Sequence, residues 1–176
     1  MSLLIAIRRE PGDYIIAADS ILVSVDQAIA GDPKIKLLDD RWVMACNSTA
    51  SADTKILYKL DYARVEDPMY HAERFKGLKG DGDHMEGNYL LAQGNRCYVL
   101  NGAGEFWQVG AFECVGIGMS LAEYLITKAW PFGSDNLLPL LYEIFSEVAA
   151  HYDGVRLPMV YAVSSDVSPT IKTWSP

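Results

Sequence analysis

Residues 1–19 read MSLLIAIRREPGDYIIAAD, and the fold turns on how this stretch is divided. "LLIAI" at 3–7 and "YIIAAD" at 14–19 are short apolar runs, and "RREPGD" between them carries Pro11 and Gly12. Two strands joined by a hairpin fit this pattern. Neither run alternates with polar residues, so both faces of both strands should be covered.

The same logic extends outward. "KIKLL" at 34–38 and "RWVMAC" at 41–46 form a second hairpin turning at Asp39 and Asp40. Residues 20–33 are ambiguous, with alternation suggesting extended chain. A helix is expected over 47–64, capped by Ser51 or Asp53, with Ile56, Leu57, Leu60 and Ala63 on one face. Residues 66–88 hold Pro68, Gly77, Gly80, Gly82 and Gly87 and read as a loop. Strands follow over 89–93, 96–110 and 112–118, the second stretch broken by a glycine turn at 102–104. Helices follow over 120–130 and 136–152. Ser134 or Asp135 is the expected cap of the last helix, with Leu137, Leu141, Ile144, Phe145 and Val148 facing inward. Strands over 158–165 and 169–175 close the chain. Strands, a helix, strands, two helices and strands make an α+β layout rather than alternating βαβ units. Two stacked antiparallel sheets between helix layers would cover every apolar strand.

The 176 residues suit a single domain, 1–176, with no repeat or low-complexity segment. The net charge of −8, with no Lys/Arg block, argues against nucleic acid or an anionic membrane as partner. Three cysteines, none in a C-x-x-C pair, read as reduced buried thiols and point to the cytoplasm. The N-terminal residues lack signal-peptide features, and no apolar run reaches membrane-spanning length. His71, His84 and His151 have no metal-ligand spacing, and "KGDGDHMEGN" fails the acid spacing of a calcium loop, so no metal or cofactor is expected. Trp107, Trp130 and Trp174 read as core or interface residues.

Six pieces carry a resemblance: "SLLIAIRR", "IIAADS", "PKIKLL", "WVMACNSTASAD", "CYVLNGAGEFWQV" and "CVGIG". In this order and spacing the chain resembles the proteasome β-subunit family, most closely its bacterial heat-shock-locus V peptidase branch. The resemblance implies a four-layer αββα sandwich, a stacked-ring homo-oligomer and an N-terminal nucleophile that hydrolyses peptides or unfolded protein inside a chamber. An ATPase unfoldase is the partner it brings to mind. The family's nucleophile position falls on Ser2, exposed once Met1 is removed, and its Asp and Lys positions fall on Asp19 and Lys34. A backbone N–H near Asn47 and Ser48 would be the oxyanion donor, and Asp153 matches a supporting acid.

The chemistry is coherent. A hydroxyl is a weak nucleophile without a base. The residue's own α-amine, with a reference pKa of about 8, can serve. A nearby lysine ammonium would lower that pKa, and an Asp would orient the lysine. The chain also departs from the family. The nucleophile is Ser rather than Thr, Met119 stands where a Ser is expected with Ser120 one place late, and Arg156 replaces a later Ser. Two alternatives therefore stand beside the peptidase: a catalytically inactive ring-forming subunit of the same fold, and a small-molecule amidohydrolase of the N-terminal nucleophile class.

Overall fold

The computed structural model describes residues 2–9, 12–19, 34–38, 42–47, 88–101, 106–131, 136–165 and 168–174. In chain order the strands are β1 (Leu3–Arg9), β2 (Asp13–Asp19), β3 (Ile35–Leu38), β4 (Trp42–Cys46), β5 (Asn88–Gln93), β6 (Arg96–Asn101), β7 (Phe106–Gln108) and β8 (Phe112–Gly116). Helices α1 (Met119–Ala129) and α2 (Leu137–His151) follow, then β9 (Met159–Val163) and β10 (Lys172–Trp174).

The strands form two five-stranded sheets, β10-β9-β2-β1-β8 and β3-β4-β5-β6-β7. Every described pairing is antiparallel. The opening hairpin is real: β1 pairs with β2 from Leu4↔Ala18 to Arg9↔Asp13.

Alternation along β1 explains why the run had to be apolar throughout. Leu3, Ile5 and Ile7 join a core with Ala122, Ile126, Leu141 and Phe145 of the helices. Leu4 and Ala6 point the other way, into a second core with Val43, Ala45, Leu90 and Val99 of the facing sheet. Because successive side chains of a strand face opposite sides, a strand wedged between two layers has no polar face. The outer face of the second sheet is covered too, for Trp42, Met44, Cys46, Tyr89, Leu91 and Leu100 are buried. The α+β class and the stacking of two antiparallel sheets are as expected. The helix expected over 47–64 and the loop over 66–88 lie outside the described residues, apart from Asn47 and Asn88. So do Met1, Ser48 and the ambiguous stretch 20–33.

Helix α2 buries Leu137, Leu141, Ile144, Phe145 and Val148, the face read from the sequence. Its cap differs. The N-cap is Asn136, not Ser134 or Asp135, and no side chain caps the turn. Pro139 accounts for the shift: starting at Leu137 places it third in the helix, where no backbone N–H is needed. An earlier start would push the proline into positions whose N–H must be donated. All three cysteines are buried, and burial pushes the Cys97 and Cys114 thiols up, so those two are inert. Trp107 and Trp130 are 37% and 49% exposed, which removes them from the core and leaves the interface expectation for them. The indole of Trp107 donates to Glu113 at 3.1 Å on the surface.

Candidate active site

One end of the sandwich gathers the start of β1, the ends of β2, β4 and β8 and the start of β5. It also gathers buried polar groups. Asp19 is 0% exposed, Lys34 2% and Ser2 4%.

The register explains how Asp19 comes to be used. The last described β1–β2 pair is Leu4↔Ala18. One step further, Leu3 would meet Asp19, and there the carboxylate takes over from the main chain: the Leu3 N–H donates to Asp19 Oδ1 at 3.0 Å. Asp19 itself still pairs with Met159 of β9, which fixes its backbone. Lys34 approaches from the other sheet. Its carbonyl accepts the Cys46 N–H at 2.9 Å, and Ile35 beside it is buried between the sheets. The chain is thereby held so that the Lys34 ammonium donates to Asp19 Oδ2, in an ion pair with no solvent exposure on either side chain.

Burial raises the Asp19 carboxyl above its ordinary value, with the Lys34 charge and hydrogen bond and the Leu3 N–H pulling the other way. Burial likewise lowers the Lys34 ammonium, which the Asp19 charge partly offsets. Taking two charges out of water is costly, so the pair survives on its hydrogen bonds.

The peptide unit joining Ser2 to Leu3 is held on both sides. Its N–H goes to Asp19, and its carbonyl, that of Ser2, accepts the Ile117 N–H at 3.1 Å. Close approach of β8 makes the second bond feasible. Gly116 has φ +102, and a Cβ there would sit 1.8 Å from the Ser2 carbonyl oxygen and 2.9 Å from Asn47 Nδ2. Only glycine fits. Gly118, at φ +73, is similarly pressed, with a virtual Cβ 2.4 Å from Val148 Cγ1. It brings the start of α1 against the end of α2.

Asn47 is half-buried at the end of β4. Its N–H donates to the Asn88 carbonyl at 3.2 Å, and its Oδ1 accepts the Asn88 N–H at 2.6 Å. The backbone N–H expected to serve as an oxyanion donor at Asn47 is thus already engaged. Ser48 lies outside the described residues. Asp153 is exposed in the turn after α2, six residues before Met159, the ladder partner of Asp19. Among the described residues it makes no hydrogen bond to Ser2, Asp19 or Lys34. The structure therefore brings together Asp19, Lys34 and the peptide following Ser2, with Asn47 alongside, and leaves Asp153 apart. Sequence reasoning missed Gly116 and the Ile117 N–H. The "GIG" after an apolar strand was the available signal.

No family model matches the chain, and no curated protein does. Solved structures do. An Anbu (ancestral beta-subunit) protein from Yersinia bercovieri superposes with a TM-score of 0.73 at 16% identity, over 97% of this chain and 87% of that one. An Anbu (Gly-1) mutant from Hyphomicrobium sp. strain MC1 gives 0.76 at 15% identity, over 98% and 88%. These findings correct the resemblance to the heat-shock-locus V peptidase branch: the similar solved structures described are Anbu proteins, and no family model supports that branch. At such identity the likeness establishes the fold alone, a sandwich of two antiparallel sheets like that of the Anbu proteins. Among the described residues no helix is long and apolar enough to cross a membrane.

Proposed function

We propose that this chain is a self-associating, proteasome-like subunit that cleaves peptide bonds with Ser2 as an N-terminal nucleophile. The observation that carries the reading is the shared carboxylate. Asp19 binds the Lys34 ammonium with one oxygen and the peptide N–H directly after Ser2 with the other. That is how a nucleophile at a chain start would be held beside a cation. Once Met1 is removed, the Ser2 α-amine takes the hydroxyl proton as Ser2 Oγ bonds to the substrate carbonyl carbon. The carbonyl electron pair moves to oxygen. Collapse breaks the C–N bond, and the leaving amine takes the proton from the ammonium. Water then frees the acyl group and restores Ser2. In this reading Lys34, whose ammonium shares the Asp19 carboxylate with the Leu3 N–H, favours the neutral amine. Asp19 orients Lys34. Asp153, in the turn after α2, and Ser48 keep the supporting-acid and substrate-side roles on the resemblance alone.

The Anbu likeness supports assembly in the same spirit, since the Yersinia bercovieri protein is an ancestral beta-subunit. The proposed assembly is a stacked ring acting on peptides or unfolded protein in the cytoplasm, with an ATPase unfoldase as a candidate partner. The test is hydrolysis of a fluorogenic peptide by protein whose intact mass shows Met1 gone. Activity is expected in the wild type and lost in Ser2→Ala and Lys34→Ala. Full activity in Lys34→Ala rules the mechanism out.

A second reading, a ring subunit without catalysis, is favoured by one observation: the Asn47 backbone N–H is bonded to Asn88 and offers nothing to an oxyanion. Retained Met1 in protein from the native host would decide for it.

A further inference from the structure

The two sheets run the same way across the sandwich. β3 lies against β9, and β4, β5 and β6 lie against β2. The terminal strands β10 and β3 therefore share one side, and the terminal strands β8 and β7 share the other. Among the described residues each of these four strands has a neighbour on one edge alone. Such an edge offers unpaired main-chain groups to another chain.

The β7–β8 side leaves apolar surface uncovered. Trp107 pairs with Val99, and Glu113 pairs with Ala6. Paired residues share a face, and Val99 and Ala6 are buried between the sheets, so Trp107 and Glu113 also point there. Trp107 is nevertheless exposed, and its hydrogen bond with Glu113 lies in solvent. The space between the sheets thus ends in an open indole. On the other face of β8, Phe112 packs on Trp130 with ring centres 6.4 Å apart, and Trp130 is exposed too. Two uncovered tryptophans beside open strand edges mark an interaction surface rather than scattered surface residues.

The opposite side of the same molecule complements it. There the space between the sheets is bordered by Leu37 and Val160, both only partly buried. The charges also differ in sign. The charged residues of β3 and β10 are Lys36 and Lys172, whereas β8 carries Glu113. Glu123 stands on α1 two turns before Trp130, on the stripe beside β8. Burial, then the charges of Glu123 and Glu113, push up the Cys114 thiol of β8, which places both acids around that strand. Lys172 pairs with Tyr161, whose side chain joins the helix-covered core, so Lys172 projects on the layer that holds Glu123. A surface that fits a different surface of the same molecule makes a head-to-tail contact, and repetition closes a ring or extends a filament.

We infer that the β7–β8 side of one copy docks on the β3–β10 side of the next, with Trp107 seated against Leu37 and Val160 and with Glu123 facing Lys172. This rests on the self-association proposed above and names the surfaces that meet.

The experiment is light scattering of the full chain over a range of concentrations. The wild type is expected well above the mass of one chain. Trp107→Ala removes the aromatic anchor and should weaken association about 30-fold or more. Lys172 is exposed and has no hydrogen bond or ion pair among the described residues. Lys172→Glu should therefore spare the fold while weakening association about tenfold or more by setting like charges together. Adding Glu123→Lys reverses both charges and should restore association. Contacts within one copy cannot produce that recovery, because the two residues lie on opposite sides of it. Wild-type association in Lys172→Glu, or no recovery in the double variant, overturns the inference and leaves self-association standing, even where Trp107→Ala fails to fold. A wild type that keeps the mass of one chain at every concentration overturns both.

Discussion

The two ends of the sandwich solve the same problem differently. Each has polar groups buried between apolar layers. At the far end, where β2 begins, neutral groups saturate one another. The Tyr14 hydroxyl donates to the carbonyls of Val109 and Gly110 at 2.8 and 2.9 Å. The Ser164 hydroxyl donates to the Gly94 carbonyl at 2.5 Å and accepts the Tyr14 N–H at 2.8 Å. Ser164 and Gly94 stitch the two sheets together, and the charged groups there, Arg9 and Asp13, meet as a two-bonded pair at the rim. At the near end the charges are fully buried, and the Ser2 backbone is pinned beside them. The far end closes the sandwich. The near end holds charge where it is costly, which is the pattern of a functional site.

The comparison can be broken most severely at Gly116. Gly116→Ala puts a Cβ onto the Ser2 carbonyl oxygen at a φ of +102 that alanine disfavours. A loss of about 4 kcal/mol or more is expected in denaturant unfolding. Stability unchanged would mean that the near end is looser than drawn. Next comes Lys34→Met, which leaves Asp19 buried without its ammonium and should cost about 3–5 kcal/mol. Adding Asp19→Asn should recover part of that loss, because an uncompensated charge is worse than none. Additive losses in the double variant would deny the coupling.

At the far end the effects shrink. Tyr14→Phe removes one donor shared by two carbonyls and should cost about 1–2 kcal/mol while leaving peptide hydrolysis untouched. A matching fall in activity would tie the two ends together.

Acid should separate the ends by sign. Burial would raise the Asp13 carboxyl, but hydrogen bonds from Arg9 and Ser165 outweigh it and hold it below its ordinary value. Its contribution is therefore present above about pH 4 and is lost as pH falls through the folded value. The rim position of Arg9 keeps this to less than about 1 kcal/mol. Asp19 is raised in the folded state, so it contributes in the opposite sense: fully below its unfolded value, and lost as pH rises through the folded one. Arg9→Gln should remove the far-end acid loss and leave the near-end trend in place, as read by thermal unfolding across pH.

How much of this could be read from residues alone follows from what each feature depends on. The all-apolar β1 and β2 announced burial on both sides, because strand alternation is a local rule. The inward face of α2 was equally local. Asp19 and Lys34 could be nominated only through resemblance, since the ion pair spans two sheets and no spacing rule reaches across them. The engagement of the Asn47 N–H depends on the register of β4 against β5, which hydrophobic pattern leaves open at strand ends. The cap of α2 was legible in Pro139 and was misread by looking for a hydroxyl or acid instead.

The clamped peptide unit after Ser2 has a consequence for exchange with heavy water. The opening residues of most chains fray and trade their amide hydrogens for deuterium within moments. Here the Leu3 amide is bonded to a fully buried carboxylate, and the next residues run through the middle of a five-stranded sheet. Its hydrogen can leave only when the sandwich itself opens, so this chain's beginning should exchange on the slow clock of global unfolding.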